Sequence, residues 1–181
     1  MNEVLTTERL TLRHFAPTDA PRVRDLAGHI TVARTTLHVP YPYEEGMAET
    51  WIATHEGDRA AGKQFVYAVC DRVTGDLMGA CGLVVNVQHQ VAELGYWLGF
   101  LHWGHGFMTE ASRALMAEGF AKLPLRRIFA AHFDSNPASG RVMAKLGMQR
   151  EGVLRQHITK WDVPLDLVYW GVLREEFVAE W

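Results

Sequence analysis

The sequence is poor in cysteine and has no long apolar run. Its two cysteines, Cys70 and Cys81, lie inside short apolar stretches, so we expect buried thiols rather than a disulfide. No apolar stretch approaches the roughly 18 residues needed to cross a bilayer. Residues 1–13 lack the apolar core of a signal peptide. We therefore expect a cytoplasmic protein with no membrane partner.

The sequence also lacks an excess of basic residues. Lys and Arg number 18 against 21 Asp and Glu, which gives a formal net charge of −3. A nucleic-acid-binding protein needs concentrated positive charge to bind phosphates, so we expect no nucleic acid partner. Internal repeats, low-complexity tracts and linkers are absent as well. At 181 residues and 48% apolar content, the chain is expected to form one domain over residues 1–181.

What the sequence does contain is a succession of strand and helix patterns. Residues 10–12 alternate between apolar and polar, as in a half-buried strand. The first helix is predicted to use Thr18 as its N-cap and to bury Val23, Leu26 and Ile30. Further helices are predicted at 45–60, 109–123 and 139–146, and further strands at 65–70, 77–85, 91–98, 127–133, 148–158 and 165–173. This order predicts an α/β (α+β) domain whose middle strands form an antiparallel meander.

A glycine-containing turn lies between the strand 91–98 and the helix that follows it. Gly104 and Gly106 would let the backbone approach an anion closely, and the first amides of a helix have no intrahelical acceptor. The turn is not a P-loop, because no Gly-Lys-Ser/Thr follows it. It also lacks the third glycine and the parallel βαβ unit of the dinucleotide fingerprint. The pattern therefore predicts an anion site of another kind.

The residues around this turn carry a resemblance to a known family. The runs ELGYWL at 93–98 and WGHGFMTEA at 103–111 strongly resemble the GNAT acetyltransferases. TERLTLR at 7–13, NPAS at 136–139, KLGM at 145–148 and DLVY at 166–169 agree in the same order. More narrowly, the chain resembles the RimJ/RimL branch, typified by enzymes that acetylate the N-termini of ribosomal proteins. The resemblance implies the GNAT fold, a mostly antiparallel, centrally splayed sheet of seven strands flanked by about four helices.

The resemblance also implies a cosubstrate and its site. Acetyl-CoA would lay its pantetheine arm between the two splayed strands and its pyrophosphate against the glycine turn. The residues that the resemblance assigns to cosubstrate binding are Tyr96, Trp97, Leu98, Trp103, Gly104, His105, Gly106, Phe107, Met108, Thr109, Asn136 and Ser139. The family's tyrosine acid has no counterpart at 139–147, and Ser139 takes its part in the RimJ/RimL branch. The amine would attack the thioester directly, without a metal.

Two glutamates are candidates for the general base and for amine binding. Glu93 lies in an apolar strand between Val91 and Gly95, a setting that we expect to raise its pKa. The alternative for Glu93 is a salt bridge to an arginine at the sheet edge. Glu151 is the second candidate, since the resemblance also implicates a Glu there, and its alternative is an exposed strand residue.

Aromatic and histidine side chains supply two further hypotheses. Tyr41 and Tyr43 resemble the family's variable substrate loop and are candidate walls of the amine pocket, although they could instead only pack against the sheet. His102 and His105 have a spacing compatible with a metal site. No cysteine or carboxylate cluster accompanies them, so we expect no metal.

Together these inferences predict an acetyl-CoA-dependent N-acetyltransferase. The favoured acceptor is the α-amine of a protein or peptide N-terminus. A small-molecule amine (a polyamine, an amino acid or an aminoglycoside) is the alternative acceptor, and Glu44, Glu45 and Glu49 leave it open. A non-catalytic CoA-binding sensor or interaction module is the alternative of another class. The chain is expected to be a monomer or a homodimer, with Trp161, Trp170 and Trp181 in packing or in the dimer surface.

Overall fold

The computed structural model describes residues 1–179, so Trp181 lies outside the described part of the chain. The strands are β1 (Val4–Thr6), β2 (Leu10–Arg13), β3 (Gln64–Asp71), β4 (Leu77–Asn86), β5 (Val91–Leu98), β6 (Arg127–Phe133), β7 (Gln149–Lys160) and β8 (Val163–Leu173). The helices are α1 (Ala20–Ala27), α2 (Ile30–Ala33), α3 (Met47–Ala60), α4 (Phe107–Lys122) and α5 (Pro137–Lys145).

All eight strands form one sheet in the order β1-β2-β3-β4-β5-β6-β8-β7. Every neighbouring pair is antiparallel except β5 and β6, which run parallel. The predicted α+β, mostly antiparallel sheet is therefore confirmed. The predicted count of seven strands is wrong, because β1 pairs with β2 through Val4↔Arg13 and Thr6↔Thr11. This strand has three residues, of which Leu5 alone is buried, and it is therefore too short to show an alternating pattern in the sequence.

The sheet splays apart between β5 and β6. Their register covers Val91↔Arg127, Ala92↔Ile128 and Glu93↔Phe129 and ends there, although β5 continues to Leu98 and β6 to Phe133. β6 keeps its full pairing with β8 on its other side. Two parallel strands that diverge in this way leave a slot through the sheet.

Helices cover the two faces of the sheet. On one face, Leu115 and Met116 of α4 are fully buried in the larger apolar cluster. On the other face, α1 and α3 bury Val23, Leu26 and Ile52 in a second cluster. Cys70 and Cys81 are both buried free thiols, as predicted. Within residues 1–179, no helix combines the length and apolar character that a bilayer crossing requires.

The first predicted helix differs from the structure at both ends. Thr18 lies inside a 3-10 turn, and Asp19 instead accepts a hydrogen bond from the amide of Ala16 at 2.8 Å. The helix ends at Ala27 with Gly28 as its C-cap, where a Cβ would meet the Cβ of Tyr43 at 2.8 Å. Ile30 therefore starts a separate short helix, α2, and is exposed rather than buried.

Candidate active site

The slot between β5 and β6 is the mouth of a cleft of about 920 Å³. That volume lies in the usual range for small-molecule sites. Its walls come from β4, β5, β6, the start of α4, α5, residues 35–39 and the hairpin β7–β8. Most of the predicted site residues thus surround a single cavity.

The anion end of the cleft is the turn before α4. Gly104 and Gly106 have φ values of +83° and +80°, a region that residues with a Cβ rarely adopt. Trp103 fixes the start of the turn, since its indole Nε1 donates to the carbonyl of Leu98 at 2.7 Å. Helix α4 then begins at Phe107. The predicted strand, turn and helix N-terminus are all present, and their free amides suit a phosphate.

A clamp between Arg9 and Glu110 supports this turn from outside. The Arg9 Nε donates to Glu110 Oε2 at 2.7 Å, and its Nη1 donates to the carbonyl of His105 at 3.0 Å. Thr7 Oγ1 also donates to Glu110 Oε1 at 2.6 Å. Burial alone would raise the pKa of Glu110, but the hydrogen bonds from Thr7 and Arg9 outweigh it and lower that pKa below its usual range. Sequence reasoning missed the clamp, whose partners are about a hundred residues apart.

The middle of the cleft holds a pair of hydroxyl groups. Tyr96 Oη lies 2.8 Å from Ser139 Oγ and 3.2 Å from the Ser139 carbonyl oxygen. Burial raises the pKa of Tyr96 well above its ordinary value. The tyrosine is therefore protonated at neutral pH and can donate to Ser139. The two residues were predicted separately, as a cosubstrate contact and as an acid.

Asn136 ties α5 to the opposite side of the cleft. Its Oδ1 accepts from the amide of Ser139 at 3.4 Å, which makes Asn136 the N-cap of α5. Its Nδ2 donates to the carbonyl of Thr35 at 3.4 Å. Further along α5, Arg141 and Lys145 are exposed, one turn apart, and also line the cleft. These two cationic residues were not predicted. Their i, i+4 spacing, which places them on one face of a helix, was the only signal for them in the sequence.

Side chains of β5 alternate between the two faces of the sheet. Leu94 and Tyr96 pack with the α4 cluster, whereas Trp97 packs with the α1–α3 cluster, 6.5 Å from the ring of Trp51. Glu93 and Gly95 share the Trp97 face and line the cleft. A Cβ at Gly95 would meet no atom within 4 Å. The slot therefore has one wall that faces α4 and α5 and another that faces α1 and α3.

The structure separates the two glutamate candidates. Glu93 lines the cleft but is exposed, so the apolar setting that we expected for it is absent. Both oxygens of Glu151 accept hydrogen bonds from the guanidinium of Arg127, and Glu151 is not among the cleft-lining residues. Those hydrogen bonds lower the pKa of Glu151. The expectation that Glu151 binds substrate is corrected, since its carboxylate is held by Arg127 at the outer sheet edge.

Neither tyrosine of the predicted substrate loop reaches the cleft. Tyr41 is exposed and its ring lies 5.9 Å from that of Trp161. Tyr43 packs against the α1–α3 cluster and lines a second, smaller cavity. Residues 35–39, which precede both tyrosines, form the cleft wall instead. The expectation that Tyr41 and Tyr43 form a wall of this cleft is therefore wrong.

Metal-ligand geometry does not accompany this site. In the part of the chain that the structure describes, no three His, Cys, Asp or Glu side chains are grouped to hold a metal ion. His102 and His105 both lie near the turn before α4, and His105 contacts Phe107.

The chain is similar to known proteins over most of its length. Residues 9–149 match a family model described as an acetyltransferase (GNAT) domain. The uncharacterized N-acetyltransferase YoaA of Bacillus subtilis (strain 168) is 32% identical, across 96% of this chain and 98% of its own length. The ribosomal protein uS5-alanine N-acetyltransferase of Escherichia coli (strain K12) is 26% identical, across 85% of this chain and 82% of its own. The solved structure of RimL, a ribosomal L7/L12 α-N-protein acetyltransferase in complex with coenzyme A, shares the fold with a TM-score of 0.87. It is 18% identical and covers 94% of this chain and 98% of its own.

Proposed function

The chain belongs to the GNAT acetyltransferase family, and from that premise we propose that it acetylates the α-amine of a peptide or protein N-terminus. The family makes it an acetyl-CoA-dependent N-acetyltransferase. The observation that supports this choice of acceptor is the composition of the cleft wall. Among the described residues that line the cleft, Glu93 is the one carboxylate.

The cleft suits acetyl-CoA on its α4 face. The amides from Gly104 to Thr109 would hold the pyrophosphate, with the αL glycines allowing close approach. The unpaired edge of β5 after Glu93 would bond the amides of the pantetheine arm, as one more strand would. Arg141 and Lys145 line the same cleft and supply positive charge for a further phosphate group.

The acceptor would enter from the other face of the sheet, beside Glu93 and Gly95. Once deprotonated, its amine nitrogen forms a bond to the thioester carbonyl carbon, and the carbon–sulfur bond then breaks. The proton that the amine loses passes to Glu93, directly or through water. The departing thiolate takes a proton from Ser139 Oγ, which Tyr96 orients, and Ser139 takes a replacement proton from water in the open cleft. Backbone amides that point into the slot would stabilise the oxyanion.

The charge of the cleft favours a single ammonium group as the acceptor. An α-amine has a pKa of about 7.7–8 and is partly neutral at pH 7, so one modest base is enough. A polyamine or an aminoglycoside carries several cations and would need several carboxylates. Glu44, Glu45 and Glu49 are exposed and do not line the cleft. The ribosomal-protein specificity of the uS5-alanine relative supports the same choice.

A small-molecule acceptor remains the alternative, as does a binding module without catalysis. The test is a thiol-release assay with acetyl-CoA and a panel of amines. We expect turnover with short peptides that begin with Ala or Ser, and none with the same peptides blocked at the α-amine. A higher kcat/KM for spermidine or an aminoglycoside would overturn the peptide acceptor. Acetyl-CoA binding without turnover of any amine would favour the binding module.

A further inference from the structure

Lys160 is a buried lysine at the end of β7, with 9% of its surface exposed. Its Nζ donates to the carbonyl of Val39 at 2.8 Å and to the carbonyl of Leu37 at 3.2 Å. Burying an ammonium group is costly unless it is paired or hydrogen-bonded. These two bonds therefore make the conformation of residues 37–39 depend on Lys160.

The two segments that Lys160 joins are both walls of the cleft. Residues 35–39 line it on one side, and His157 and Ile158 line it from the hairpin β7–β8. A second tie lies close by, where Asn136 Nδ2 donates to the carbonyl of Thr35. The segment 35–39 is thus held at both of its ends, by Asn136 and by Lys160.

The hairpin turn next to Lys160 is fixed in an unusual conformation. Trp161 and Asp162 have φ values of +51° and +62°, as a two-residue type I′ turn requires. A positive φ is rare for a bulky residue such as Trp. Here the Trp161 ring lies 5.0 Å from the Lys160 Nζ and 5.9 Å from the Tyr41 ring. The turn therefore places the indole over the ammonium group and against the loop that the ammonium group holds.

We propose that Lys160 is a positioning residue for the acceptor, because it fixes the wall formed by residues 35–39 on the face of the slot opposite the cosubstrate. This inference rests on the proposed function, in which acetyl-CoA occupies the α4 face. Val39 of this wall packs against the same α1–α3 cluster as Trp97, on the α1–α3 face of β5. The wall therefore lies on the side from which the amine would enter, and Lys160 would set how tightly the acceptor is held.

The test compares Lys160→Met, which keeps the length of the side chain, with Lys160→Arg and a control, Lys122→Met. Lys122 is exposed in the last turn of α4 and does not line the cleft. We expect Lys160→Met to raise the KM for the acceptor peptide about tenfold or more, as the loss of charge-assisted hydrogen bonds would. The Kd for acetyl-CoA should change less than about twofold. The acceptor KM of Lys160→Arg, which keeps the positive charge, should lie between those of Lys160→Met and the wild-type protein.

Amide hydrogen exchange gives a readout that needs no activity. Exchange at residues 35–39 should be faster in Lys160→Met and unchanged in Lys122→Met. Trp161→Asn is a milder variant, because Asn tolerates the positive φ of the turn while the ring is lost. We expect it to raise the acceptor KM by a smaller factor, and it decides the question if Lys160→Met does not fold.

An unchanged acceptor KM in folded Lys160→Met would overturn the inference. A loss of acetyl-CoA affinity as large as the rise in the acceptor KM would overturn it as well. In either case the wild-type protein would still acetylate peptides, so the proposed function would stand. If the wild-type protein acetylates no amine, the proposed function fails first, and the acceptor role of Lys160 fails with it.

Discussion

The hydroxyl group of Tyr96 on β5 and that of Ser139 on α5 lie 2.8 Å apart inside the cleft. Because burial keeps the pKa of Tyr96 high, the phenol retains its proton and can donate it to Ser139 Oγ or to the Ser139 carbonyl. When Tyr96 donates to Oγ, the proton of Ser139 is left free to point into the cleft. The tyrosine would thus orient the serine as a proton donor.

This arrangement predicts linked losses in two variants. Ser139→Ala and Tyr96→Phe should each lower kcat about 10- to 100-fold, as expected for a lost hydrogen bond to a developing charge. The Kd for acetyl-CoA should stay within about threefold. Because both changes remove the same donor chain, the double variant should be little slower than Ser139→Ala alone. Multiplied losses in the double variant would show that the two hydroxyl groups act independently.

The glycine turn before α4 gives a prediction about cosubstrate binding. Gly106→Val should weaken acetyl-CoA binding strongly, since a β-branched side chain at φ +80° distorts the amides and fills the approach to them. Gly75→Val is the matched control, because Gly75 has a φ of +78° in the hairpin β3–β4. Both variants should lose similar stability, by thermal unfolding. Equal acetyl-CoA affinities by calorimetry would contradict the assignment of the turn.

The sequence predicted the centre of the fold well because local patterns define it. β5 and β6 have the predicted bounds, 91–98 and 127–133, since apolar runs and turns delimit both strands. β1 was missed because three residues cannot show a period. The break after α1 depends on Gly28 packing against Tyr43, a contact that no helical pattern reveals.

The candidate site was predictable as a set of residues but not as a set of partners. The backbone turn at Gly104 and Gly106 follows from local sequence, and so does its place before a helix. The Arg9–Glu110 clamp spans 101 residues, so its two ends meet only through the fold. Glu93 is exposed beside Val84 of β4, which is also exposed, and periodicity within one strand cannot show the surroundings that a neighbouring strand provides.

The two glutamates that were candidate bases can be separated by matched substitutions. Glu93→Gln should lower kcat/KM for the peptide by about 10²-fold or more, because the amine loses the group that accepts its proton. Glu151→Gln should leave kcat/KM within about threefold, because Glu151 is held by Arg127 outside the cleft. Steady-state rates across the pH range would distinguish them. A large loss from Glu151→Gln alone would make that residue the base after all.

A buried histidine makes the stability of the protein sensitive to acid. His55 on α3 is 7% exposed and packs against Trp51 and Phe15, with ring centroids 4.5 and 5.5 Å away. Within residues 1–179, neither of its ring nitrogens has a hydrogen-bond partner. Burial lowers its pKa to about 4, and its charged neighbours, with Asp58 opposing Arg59, do not reverse this. The native state therefore holds His55 neutral.

His55→Phe should make the protein less sensitive to acid. A depressed histidine pKa means that the unfolded chain binds the proton first, so stability is full above pH 6.5 and falls as the pH drops toward 4. The loss from this residue alone should be about 2 kcal/mol between pH 7.5 and pH 5.

In urea unfolding, the difference in the free energy of unfolding between these two pH values should be smaller in His55→Phe than in the wild-type protein. The difference that remains comes from His14, whose pKa is also lowered by burial. His89→Phe, at an exposed position in the hairpin β4–β5, is the control and should keep the wild-type difference. Equal pH dependence in all three proteins would show that His55 is not the acid-sensitive group.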